Sequence, residues 1–152
     1  MKYIDLTMPI DEKTPTFPGD PPIKIKRENV KEHIYGKTFL EIHTHMATHI
    51  DAPSHMIEKG KTLSDFPINK FIGEAIVIDV RGQKSIEPDL SKVKKHDIVF
   101  FLTSHADKAY TPHYFENNPI ITEKTAQQLV EKGISIVGLD SFTPDNEPYD
   151  VH

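Results

Sequence analysis

Residues 41–55 read EIHTHMATHIDAPSH and contain His43, His45, His49, Asp51 and His55. Four of the chain's nine histidines fall in this one short segment, a density that composition alone makes improbable. Neutral imidazole is a common ligand for zinc and related ions, and a neighbouring carboxylate adds charge and can bridge two ions. The segment reads as a metal-binding stretch with Asp51 as its carboxylate.

Three layouts compete for it. A helical His-Glu-x-x-His pattern sets two histidines one turn apart around a glutamate base. Met46 occupies the glutamate position, Thr48 and Ile50 are β-branched, and Pro53 would end a helix, so the His45–His49 spacing does not read as a helical turn. A cupin-like His-x-His is available in His43 and His45, but His49 stands where a glutamate would be wanted. The third layout is an extended strand running into a bent loop. All five donors sit at odd positions and would share one face of a strand. One straight strand nevertheless fails, because at about 3.3 Å per residue His45 and His55 would be roughly 33 Å apart, whereas the ligands of one centre converge within a few ångströms. The chain must turn twice, and Ala47 and Pro53 are the small and the rigid residue placed where it can.

The rest of the sequence sets bounds. A chain of 152 residues with 37% hydrophobic content suits one compact domain spanning 1–152. No stretch approaches the roughly 20 apolar residues of a membrane span, and Met1 leads straight into the patterned segment Lys2–Met8, so the expected compartment is the cytoplasm and no membrane partner is expected. The absence of cysteine excludes disulfides, thiolate ligands and a cysteine nucleophile. A net charge of -5 and a pI near 6.0 argue against a nucleic-acid partner and favour a small-molecule substrate. Lys92, Lys94 and Lys95 gather locally, but Asp89 and Asp97 flank them, which reads as a solvated mixed-charge loop.

Segments of strand length recur at Tyr3–Leu6, Ile23–Ile25, Phe39–His45, Ala75–Val80, Ile98–Leu102 and Ile134–Leu139. The clearest helix runs from about Thr122 to Lys132, with Thr122 as N-cap, Ala126, Leu129 and Val130 on one face and Gly133 as C-cap. The run PTFPGDPP over Pro15–Pro22 is neither helix nor central strand, since proline removes donors and fixes φ; most of it reads as a surface connector, while Phe17 is an aromatic on a stiff loop that could instead line a pocket. The expected class is α+β, strand-rich, with mixed sheets and few helices.

The segment His45–His55 also resembles the signature His-x-Gly-Thr-His-x-Asp-x-Pro-x-His of the cyclase family, which includes kynurenine formamidase and isatin hydrolase. Ala47 replaces the usual glycine. The likeness continues through DLTMPIDEKTPTFPGDPP, FIGEAIVIDV, HDIVFFLT and EKGISIVGLDSFTPD, which together span most of the chain. The resemblance implies a swivelling β/β/α fold, a homodimer or larger assembly, and one or two Zn2+ or Mn2+ ions per chain. It implies that His45, His49 and Asp51 hold one metal, that Asp51 with His55 addresses a second, and that Phe17 borders the substrate. Family members continue through a catalytic histidine and a metal-binding glutamate; by resemblance His152 is that histidine, and the expectation is a chain lacking the family's C-terminal segment. The activity implied is hydrolysis of an amide or formamide, with N-formylkynurenine the leading substrate. A catalytically inactive or truncated metal-binding protein of the same fold is the alternative.

Outside the motif the readings are plainer. His43 reads as a cross-strand partner or as support for a ligand more readily than as a ligand itself. His33, His96 and His113 read as solvated loop residues, and His105, after the strand ending in FFLT, as structural. Asp140 and Ser141 read as turn chemistry at a strand end.

Overall fold

Pro21 and Pro22 carry no amide donor, so a strand in this region can begin only after them. The computed structural model, which describes residues 2–29 and 35–152, places β1 at Lys24–Asn29 and pairs it antiparallel with β2 at Gly36–Glu41. His33 lies outside the described residues. The register sets Lys24 opposite Glu41, where their side chains form a 2.7 Å ion pair. The strand expected over Phe39–His45 therefore stops at Glu41, because the partner strand ends at Lys24 and the prolines before it supply no ladder. The strand expected at Tyr3–Leu6 is not formed: Tyr3, Ile4 and Leu6 are exposed, and no ladder pairs them among the described residues. The aromatic and β-branched side chains of Tyr3 and Ile4 carry β-propensity, but a strand also needs a partner.

Contacts group the chain into two units, Met1–Asp51 and Ala52–His152. The first holds the β1–β2 hairpin and the histidine loop. The second contains β3 (Ala75–Asp79), β4 (Ser85–Ile86), β5 (Ile98–Leu102), β6 (Ile120–Ile121), helix α1 (Glu123–Lys132) and β7 (Ile136–Leu139). A parallel sheet has the order β3-β5-β7, with Ala75 opposite Ile98 and Ile98 opposite Ile136, while β4 and β6 form a short parallel pair. Short 3-10 turns at Pro53–His55, Leu63–Asp65, Ile68–Phe71 and His105–Lys108 connect these elements.

The core of the second unit follows from alternation along the strands. Val99 and Phe101 of β5 are fully buried and pack with Val80, Ile86, Leu90, Val93, Ile121 and Leu129. Each such side chain contributes about 1.5–3 kcal/mol on leaving water. Helix α1 starts where the sequence marks it. Thr122 Oγ1 accepts from Thr125 N–H at 3.2 Å, and Gly133 closes the helix at φ +67°, its N–H reaching the carbonyls of Leu129 and Val130. Thr125 is buried and donates its hydroxyl to Ile86 O at 2.8 Å, fastening the helix to β4. Among the described residues, one α-helix beside several strands in separate sheets is the mixed α+β class expected.

Candidate metal centre

Beyond Glu41 the chain leaves the sheet and bends continuously over Thr44–Thr48. Two features fix the bend. Met46 is buried, and Ala47 takes a left-handed conformation at φ +49°. The first of the two turns demanded by reach is thus at Ala47, and it uses a torsion that glycine adopts without penalty. Thr48 Oγ1 accepts from Met8 N–H at 2.9 Å, tying the N-terminal arm to the loop. The segment is neither helix nor strand, which disposes of the helical reading.

The loop brings His45, His49 and Asp51 together. His45 Nδ1 lies 2.7 Å from Asp51 Oδ1, and His49 Nε2 lies 3.6 Å from Asp51 Oδ2. One donor atom from each of the three falls within 4.8 Å of the others, so the group could hold a metal ion. His49 Nδ1 donates to Ala47 O at 3.0 Å, which leaves Nε2 with its lone pair toward Asp51. A ligating histidine commonly gives its other ring nitrogen to a carbonyl in this manner. Two imidazoles and a carboxylate suit zinc or manganese, and side-chain exposures of 40%, 29% and 36% keep the centre open to a substrate. His43 does not join this group: its Nε2 is buried without a hydrogen-bond partner, 3.8 Å from Asp20 Oδ2. A cupin-type site would need His43 as a ligand. Phe17, about half exposed, stands on the Pro15–Pro22 loop beside a turn in which its carbonyl accepts from Asp20 N–H at 3.0 Å.

In the second unit, Pro53 begins the 3-10 turn that ends in His55, and this is the second turn that reach required. Ser54 N–H bonds Lys61 O at 3.0 Å and Ile57 N–H bonds Pro53 O at 2.9 Å. Gly60 packs so closely that a Cβ there would lie 2.7 Å from the Pro53 carbonyl. The His55 ring centroid is 5.1 Å from that of His152. His152 in turn is seated on Asp145, a buried carboxylate overlooked in the sequence. Asp145 Oδ2 accepts from the N–H groups of Val151 and His152 at 2.9 and 3.0 Å, and its Oδ1 lies 3.0 Å from His152 Nδ1. The Tyr149 ring meets His152 edge-on, with centroids 6.0 Å apart. Asp145 closes the family-like run EKGISIVGLDSFTPD, but nothing there or in the overlapping turn-rich SFTPDNEPYD singled it out as the partner of a histidine.

Among the described residues, His96, His105 and His113 follow their plain readings. His96 and His113 are exposed, and His113 pairs with Glu116 at 2.9 Å. His105 is buried, its Nε2 2.6 Å from Tyr114 O, against the rings of Tyr114 and Phe142. Burial beside Asp140 pushes the Tyr114 phenol above its ordinary range. Asp140 accepts from the backbone and hydroxyl of Thr103 at 2.7 Å and from Ser104 N–H at 2.8 Å, joining the ends of β5 and β7.

Comparison with known proteins decides the relationship. The family model described as cyclase matches residues 4–146. The chain belongs to the cyclase family. Among its relatives is the kynurenine formamidase of Bacillus thuringiensis (strain Al Hakam), 30% identical over 154 residues that cover 98% of this chain and 72% of the relative. A solved structure described as a potential metal-dependent hydrolase with cyclase activity superposes with a TM-score of 0.79 at 27% identity, covering 98% of this cyclase-family chain and 73% of the other. Isatin hydrolase A from Ralstonia solanacearum shares the fold with a TM-score of 0.82 at 20% identity, over 97% and 70% of the two chains. Among the described residues no helix is long and apolar enough to cross a membrane.

Proposed function

We propose that this chain is a metal-dependent hydrolase of an amide or formamide bond, with an aryl formamide such as N-formylkynurenine as substrate. The observation that carries the reading is the convergence of His45, His49 and Asp51 donors within 4.8 Å on one exposed loop. Kynurenine formamidase relatives covering 98% of the chain supply the substrate class. His45, His49 and Asp51 would hold one divalent ion, and His55 would serve a second. When bound, such an ion lowers the pKa of water toward neutrality and polarises a carbonyl.

The chain's own residues do the remaining work. Hydrolysis adds water oxygen to the formyl carbon, breaks the C–N bond and delivers a proton to the departing aryl nitrogen, giving amine and formate. His152, with Nδ1 engaged by Asp145, would carry that proton at Nε2 as general acid or base. Phe17 offers an aromatic face for an aryl substrate.

The test is metal uptake and turnover in the chain and its Asp51→Ala variant. After chelation and reloading with Zn2+ or Mn2+, the wild type is expected to take up one or two equivalents and to release formate from N-formylkynurenine, with isatin as the comparison substrate. Asp51→Ala should lose uptake and at least about 100-fold in turnover. Unchanged uptake and turnover in that variant would sink the assignment.

A further inference from the structure

Asp145 is the most deeply buried carboxylate of the second unit. It is 4% exposed, and both of its oxygens are committed: Oδ2 to two successive backbone N–H groups, Oδ1 to the ring of His152. The side chains of that ion pair are 15% and 6% exposed for His152 and Asp145, so water competes little for the contact. We propose that Asp145 is a positioning residue that fixes both the orientation and the tautomer of His152. A carboxylate oxygen only accepts, so the nitrogen facing it must carry the proton. With Nδ1–H donated to Asp145, the lone pair of the neutral ring sits on Nε2, on the far side of the imidazole, whether that nitrogen moves a proton or meets an ion.

The backbone contacts explain why aspartate is used. By capping the N–H groups of Val151 and His152, the same carboxylate that reads the ring also fixes the main chain from which the ring hangs. The ring is closed in further by the edge of Tyr149 at 6.0 Å and by His55 at 5.1 Å. An asparagine in the same place could keep its single carbonyl oxygen on the two backbone groups. It would then present an NH2 donor to Nδ1, which favours the opposite tautomer with the proton on Nε2. This inference rests on the hydrolase reading only for its effect on rate; the tautomer itself does not.

The test is the nitrogen-15 imidazole signature of His152 in the chain, recorded with and without Zn2+, for the wild type and Asp145→Asn. The wild type is expected to show a protonated Nδ1, and the variant a protonated Nε2, with kcat for the formamide falling about 100-fold or more while KM moves less. A wild-type ring protonated on Nε2 overturns the proposal, and this measurement needs no variant to fold. A variant that keeps both the wild-type tautomer and its kcat overturns it as well. A wild type with the Nδ1–H tautomer but no turnover of any aryl formamide upholds the role of Asp145 and sinks the hydrolase reading instead.

Discussion

Ala47 shows how one side chain can conflict with the loop it serves. It sits at φ +49°, where a Cβ crowds the following carbonyl and costs roughly 1–2 kcal/mol. The conformation persists because its neighbours enforce it: Met46 is buried, Thr48 holds Met8, and the Ala47 carbonyl accepts from His49. Ala47→Gly removes the clash but gives the unfolded chain more freedom, so the net gain should be about 1 kcal/mol or less. Thermal unfolding should show Tm rising by about 2–4 °C with metal uptake unchanged. A lower Tm in that variant would mean that the torsion is relaxed in solution.

The 3-10 turn Pro53–His55 presents the converse case, a short element held by a residue that touches nothing chemical. It has no side-chain cap, and three residues of 3-10 structure do not stabilise themselves. Its support is the return of the chain at Gly60, where any Cβ would meet the backbone of Pro53 and Ser54 at 2.7–2.8 Å. Backbone cannot yield as a side-chain tip can, so Gly60→Ala should cost about 1–3 kcal/mol and displace His55. Calorimetry should register a Tm several degrees lower, and turnover should fall in parallel. An unchanged Tm would show that the turn is looser than drawn. Helix α1 behaves differently: its caps, Thr122 and Gly133, are local, and the sequence located it to within one residue.

For the whole molecule, a ligand that binds only the native state adds to its stability by mass action, about 2.7 kcal/mol at one hundred times Kd. Because His45, His49 and Asp51 converge only when the loop is folded, Zn2+ or Mn2+ should raise Tm by roughly 5–10 °C at that saturation. Chelation should reverse the shift, and Asp51→Ala should abolish it. A metal-insensitive Tm in the wild type would count against a folded metal site. The fully buried Phe101 and Val99 belong to the core of the second unit, so they should set the metal-free baseline rather than the metal-dependent increment.

What could be read from the sequence was whatever depends on near neighbours. The donor spacing from His45 to His55, the need for turns at Ala47 and Pro53, the caps of α1 and the β-branched runs that became β3 and β5 are all properties of a few consecutive residues. Decisions that depend on a distant partner could not be read so. Tyr3–Leu6 has the pattern of a strand without a ladder, β2 ends at Glu41 because its partner runs out, and the two-residue β4–β6 pair has no sequence signal at all. Asp145 belongs to the same group, since an aspartate in a turn-rich run looks like any other until folding brings the chain back and sets His152 on it. Hydrogen-bond partners and burial are settled only when the chain closes, and for that reason tertiary structure alone joined Asp145 to His152.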